Sequence, residues 1–142
     1  MVQLREKDLT IKQLFTLARE IRTLTRNKAL LFINDRIDVA LASGADGVQL
    51  GEQSLPVDTA RMVAGGRLLL GRSVHSLQGA IEAEAKGADL LIVGTVFSSR
   101  SHPDSRPSGI GLLKQISKRV HIPFLAIGGI NIINVESAIK TG

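Results

Sequence analysis

The sequence predicts an α/β fold with a parallel sheet, and three observations predict it. Short apolar, β-forming runs alternate with segments of helical periodicity along the whole chain. No hairpin signal joins neighbouring runs, so the connections are helices and the strands run parallel. The runs are apolar at successive positions, the pattern of strands buried on both faces. Either a (β/α) barrel or a doubly wound sheet satisfies these observations. A closed barrel of this kind has eight units, and six are present, so the chain is expected to be most of a barrel.

The elements follow in order. Residues 2–4 form a first strand, and 10–26 a helix with Leu14, Leu17, Ala18 and Ile21 at helical spacing. A strand over 29–33 leads to a short helix over 37–42. A strand over 47–50 precedes a helix over 56–63 that carries Pro56 in its first turn. The run 68–74 leads into a helix over 77–86 with Ser76 as N-cap. Residues 90–96 lead through a long polar loop to a helix over 112–120. A last strand, 123–127, precedes a helix over 135–140, with Asn134 as a plausible cap.

Composition narrows the function class. At 142 residues, 44% hydrophobic and 22% charged, the chain has the make-up of one globular domain. No apolar stretch approaches the ~20 residues that span a bilayer, and no signal-peptide pattern opens the chain; a cytoplasmic protein is expected. The absence of Cys excludes thiolate zinc sites, disulfides and cysteine nucleophiles. The net charge of +5 is dispersed, and with aromatic residues at 3% and no Trp or Tyr, stacking platforms for nucleic acid are scarce. Solvated helix surface plus an anionic small-molecule site accounts for the charge.

In a parallel barrel, functional groups gather at the carboxyl ends of the strands, and the polar residues of this chain collect there. Gln3, Arg5 and Lys7 share one face of an extended first strand, for an anion or for salt bridges. Asp35, after Asn34, either caps the next helix or holds Mg²⁺ beside a ligand's phosphates. Ser73 and His75, two residues apart, offer a hydroxyl for phosphate and an imidazole that moves protons near neutrality; a surface histidine has the same spacing. The loop 98–109 is a lid or a solvated connector, with Arg100 and His102 available to phosphate oxygens. The run from Pro123 to Ile127 breaks into Gly128-Gly129, where bare backbone N–H groups can meet an anion. His121 is assigned no role.

Taken together, the stretches "QLREKD" (3–8), Asn34-Asp35, "GVQLGEQSL" (47–55), "GRSVHSL" (71–77), 94–97 and "AIGGI" (126–130) resemble, in order, the family of thiamine phosphate synthases and TenI-like thiazole tautomerases. The resemblance spans practically the whole chain. It implies a (β/α)₈ barrel of which the first and last units are absent here, a small-molecule thiazole phosphate substrate, and no nucleic-acid or membrane partner. Open strand edges would favour a homo-oligomer.

The resemblance also sets two branches. In the synthase, an aminopyrimidine pyrophosphate joins a thiazole phosphate with loss of pyrophosphate; Arg5 and Lys7 would hold pyrophosphate and Asp35 would bind Mg²⁺. Ser54 stands where that branch has a second metal-binding Asp, and Ser99-Arg100-Ser101-His102 replaces its Thr-x-Thr-Lys. In the tautomerase, which needs no metal or other cofactor, a proton moves and a thiazole carboxylate phosphate becomes aromatic. There His75 would shuttle the proton, Gly128 and Gly129 would anchor phosphate, and Arg5, Lys7 and Ser73 would line the anionic end. Asn34 and Gln49 would orient the ring. The residues as they stand favour the tautomerase, with the synthase and a non-catalytic phosphate-ligand-binding protein or decayed fragment as alternatives.

Overall fold

The computed structural model describes residues 1–98 and 107–141. Among them, six strands alternate with six helices: β1 Val2–Leu4, α1 Ile11–Thr25, β2 Leu31–Asn34, α2 Ile37–Ser43, β3 Gly47–Leu50, α3 Val57–Ala64, β4 Leu69–Val74, α4 Leu77–Ala85, β5 Leu90–Val93, α5 Gly109–Arg119, β6 Phe124–Ala126 and α6 Val135–Ile139. The strands follow in the order β1-β2-β3-β4-β5-β6 in one sheet. Pairing is parallel between β1 and β2, β2 and β3, and β5 and β6. This is the strand–helix alternation of the TIM-type fold. The chain divides into two compact units, Met1–Gly71 and Arg72–Gly142.

In the first unit the middle strands are buried on both faces. Leu31, Phe32, Ile33, Val48 and Leu70 are fully buried, with Leu50 nearly so. Parallel strands covered on both sides have no polar face to spare. Helix α1 is set by a capping box: Thr10 Oγ1 accepts from Gln13 N–H, and the Gln13 side chain accepts from Thr10 N–H. It buries Leu14 and Ala18, and Arg22 reaches from its last turn to Asp46 through two hydrogen bonds of 2.7 and 3.1 Å. The same carboxylate accepts from Leu31 N–H at 2.7 Å, tying the start of β2 to α1. In the second unit Leu91, Val93, Val96, Leu113 and Ile116 form the core. Glu84 of α4 accepts from the N–H groups of His121 and Ile122 at 2.7 and 3.1 Å, which sets the approach to β6.

Several expected boundaries move, each for a local reason. The first strand keeps its expected end at Leu4, so Arg5 and Lys7, expected on one face with Gln3, lie beyond it; pairing with β2 stops at Leu4, and Glu6 accepts from Lys7 N–H. Strand β2 begins at Leu31 because the N–H groups of Lys28 and Ala29 still bond Thr25 O at the exit of α1. Strand β5 ends at Val93, and α5 starts at Gly109 rather than 112. The N–H groups of Ser108 and Gly109 bond the carbonyls of Thr95 and Val96, which positions that earlier start.

Candidate functional site

In the first unit a polar cluster forms beyond the carboxyl ends of β1, β2 and β3. Register pairs Gln3 with Phe32 and Asn34 with Gln49, so these side chains come from neighbouring strand ends. Gln3 Nε2 donates to Asn34 Oδ1 at 3.0 Å, and Asn34 Nδ2 donates to Asp35 Oδ2 at 2.7 Å. Asp35 has a φ of 59°, the left-handed region that Asp tolerates better than most residues. Its N–H bonds Gln49 O at 2.9 Å. That turn lifts the carboxylate away from the helix it precedes. Expected as a possible cap, Asp35 does not cap α2: the N-cap is Arg36, without a side-chain cap bond. Instead Asp35 Oδ1 accepts from Ser54 Oγ and, at 3.3 Å, from Gly51 N–H, while Gly51 N–H also donates to Ser54 Oγ at 2.6 Å.

Gln49 is buried at 2% exposure at the end of β3. Arg5 and Lys7 are exposed, and among the described residues neither side chain forms an ion pair. The salt-bridged reading of this pair therefore falls away, leaving two solvated cations on one strand exit.

In the second unit the glycine pair is built into a close backbone contact. Gly128 and Gly129 have φ of +94° and +63°. A Cβ on Gly128 would meet Thr95 Cγ2 at 2.5 Å, and one on Gly129 would meet Ser98 O at 2.3 Å. Val96 N–H donates to Ile127 O at 2.9 Å and Phe97 N–H to Gly128 O at 3.0 Å, while Ser108 Oγ and N–H both bond Thr95 O. Glycine is required here by space and by conformation together. Ser73 lies in β4 and is half-buried; His75 is exposed just beyond that strand, and Ser76 caps α4 by accepting from Gly79 N–H at 3.1 Å. Arg100 and His102 lie outside the described residues.

Two features escape a reading by motif. Thr95 is the residue against which Gly128 packs, a contact that its place in the 94–97 stretch does not announce. Asn134, expected as a cap, makes no cap bond; its side chain accepts from Asn131 N–H at 2.8 Å and donates to Gly129 O at 3.0 Å. The spacing Gly-Gly-Ile-Asn-x-x-Asn was its available signal.

The sequence profile described as thiamine monophosphate synthase matches residues 1–142. The chain belongs to the thiamine monophosphate synthase family. Within this family, the thiamine-phosphate synthase of Pyrococcus abyssi is 48% identical over 142 residues, covering 99% of this chain and 68% of that protein. The thiamine-phosphate synthase of Pyrococcus horikoshii is 47% identical over the same length, with the same shares. Among solved structures, thiamine phosphate pyrophosphorylase from Pyrococcus furiosus superposes with a TM-score of 0.91 at 45% identity, over 99% of this chain and 67% of that one. These relatives carry the name of a transferase of thiamine biosynthesis, which turns the expected preference for the tautomerase toward the synthase. No helix among the described residues is long and apolar enough to cross a membrane.

Proposed function

We propose that this chain serves the thiamine-phosphate synthase reaction, in which an aminopyrimidine pyrophosphate is joined to a thiazole phosphate and pyrophosphate departs. The observation that carries this reading is the carboxylate of Asp35, held out at a strand end by a left-handed turn and gathered with Ser54 Oγ and Gly51 N–H. The names of relatives 47–48% identical support the same reading.

The reaction implies a magnesium ion. Magnesium takes oxygen ligands, commonly one or two carboxylates completed by substrate phosphates. Among the described residues no group of three or more His, Cys, Asp or Glu could hold a metal by itself. Asp35 and Ser54, beside Asn34, offer one carboxylate and two neutral oxygens at one strand end. That set fits an ion shared with a substrate's pyrophosphate. Asp35 and Ser54 would hold it, and when bound it would neutralise charge on the departing pyrophosphate.

The chain's own residues supply the rest. Arg5 and Lys7 would take pyrophosphate oxygens, offsetting charge as the leaving group separates. Asn34 and Gln49 would orient the ring through their amides. In the second unit, the N–H groups of Gly128 and Gly129, with Ser73, would take the phosphate of the thiazole substrate. Arg100 and His102 are assigned to phosphate oxygens on sequence grounds.

The direct test is binding of inorganic pyrophosphate with and without Mg²⁺. Mg²⁺ should tighten binding at least ~10-fold in the wild type, and Asp35→Asn should abolish that gain. An unchanged magnesium effect in the variant would overturn the assignment of Asp35.

A second reading, the thiazole tautomerase, rests on one observation: an exposed imidazole, His75, two residues from the phosphate candidate Ser73. That chemistry uses no metal. His75→Ala should then lower isomerisation at least ~100-fold, the usual scale of general acid–base catalysis, and a chelator should leave it unchanged.

A further inference from the structure

We infer that Asn134 is a positioning residue of the phosphate seat, aiming the Ile130 N–H at the anion by holding the carbonyl of Gly129. The inference rests on the reading in which the glycine pair takes a phosphate.

Three successive peptide groups follow β6, and each carbonyl has a close donor. Ile127 O accepts from Val96 N–H at 2.9 Å, Gly128 O from Phe97 N–H at 3.0 Å, and Gly129 O from Asn134 Nδ2 at 3.0 Å. In a trans peptide the C=O and the next residue's N–H point in opposite directions. Fixing these three carbonyls therefore fixes the N–H groups of Gly128, Gly129 and Ile130. None of the three has an acceptor among the described residues, and all three residues are half-buried rather than freely hydrated. Buried N–H groups are normally paired; three in a row without an acceptor are a seat for an anion.

The first two are held by main chain, through the 96–97 segment. The third is held by side chains, chiefly Asn134, so it is the one that sequence can tune. Asn134 is itself locked in place: its Oδ1 accepts from Asn131 N–H at 2.8 Å, and Asn131 Oδ1 accepts from Ile133 N–H at 2.8 Å and Asn134 N–H at 3.3 Å. The Asn131 amide adds only a contact of 3.5 Å to Gly129 O. An amide committed at both ends, one of them to the glycine pair, serves the seat rather than the helix start that its position suggests. Its carboxylate analogue keeps the acceptor and loses the donor.

The experiment uses the whole chain, wild type and Asn134→Asp, with a thiazole phosphate monoester and the corresponding thiazole alcohol as calorimetric probes. Amide NMR follows Gly128, Gly129 and Ile130. Asn134→Asp should weaken the ester at least ~10-fold and leave the alcohol within ~2-fold. The ester should still shift the Gly128 amide in the variant while the Ile130 shift disappears. Equal ester binding by variant and wild type, or loss of the Gly128 and Ile130 shifts together, would overturn the role. Should Asn134→Asp not fold, Asn134→Ser, which suits a helix start but is too short to hold Gly129 O, replaces it with the same expectations. Wild-type protein that binds ester and alcohol equally would instead refute the phosphate seat itself, and the positioning role with it.

Discussion

Gly129 shows how little latitude single residues have around the anion seat. A methyl group there would meet the carbonyl oxygens of Ser98 at 2.3 Å and Phe97 at 2.8 Å, on a backbone at φ +63°. A left-handed conformation alone costs a non-glycine residue roughly 1–2 kcal/mol, and backbone oxygens cannot step aside as a flexible side-chain tip does. Gly129→Ala should lose about 2 kcal/mol or more in urea unfolding and displace the 95–98 segment; stability within 0.5 kcal/mol of wild type would contradict the packing described. Asp35 is the opposite case, a residue whose strained-looking turn is satisfied from every side, by Gln49 O at its N–H and by Asn34, Gly51 and Ser54 at its carboxylate. Sequence pattern flagged both positions, since Gly-Gly and Asn-Asp stand at strand ends. It could not show that Asp35 bonds forward to Ser54 rather than to the helix after it, because that choice depends on the neighbouring strand's loop.

Among the elements, two carboxylates tie helices to strand starts. Asp46 accepts both an Arg22 fork and the Leu31 N–H, so Asp46→Ala leaves a guanidinium and a buried N–H unsatisfied. A loss of about 2–3 kcal/mol is expected in denaturant titration, and a change below 0.5 kcal/mol would contradict it. Glu84 is held below the usual carboxylate range chiefly by the His121 N–H, an effect that burial opposes in part and the Ile122 N–H reinforces. A carboxyl lowered on folding contributes stability that is complete above its ordinary value of 4.5 and is lost as pH falls through the lower folded value. Stability should therefore fall below about pH 4.5 and Glu84→Gln should flatten that slope; identical acid limbs would contradict the assignment. Element identity was legible throughout: the strands 2–4 and 47–50 match their expected bounds, and Thr10, Pro56, Ser76 and Asn134 stand at helix starts. What misled was extension. Arg5 and Lys7 read as one face with Gln3 because alternation continues past Leu4, yet the paired register ends at Leu4 opposite Ile33. Thr95 and Val96 read as the end of a strand because they are β-formers, but β5 stops at Val93, and the N–H groups of Val96 and Phe97 meet the carbonyls of Ile127 and Gly128.

For the whole molecule, alternation of apolar runs and amphipathic helices was enough to give the fold class, while the choice between synthase and tautomerase was not legible in single residues. Ser54 and His75 pointed one way and Asp35 the other, and each is compatible with either chemistry until its partners are known. The second unit also exposes several large apolar side chains, with Ile132 at 94%, Ile133 at 89% and Ile139 at 70% exposure, and Leu125 and Ile127 exposed as well. Apolar surface of that kind favours association; sedimentation should find dimers or larger species, and a monodisperse monomer would contradict it. The central claim is that Asp35 and the cations beyond β1 serve the departure of pyrophosphate. Its most direct measurement is pyrophosphate release from purified protein given an aminopyrimidine pyrophosphate and a thiazole phosphate. Release that requires both substrates and Mg²⁺, and falls at least ~100-fold in Asp35→Asn, is the predicted result; magnesium-independent release, or none from the wild type, would contradict the account.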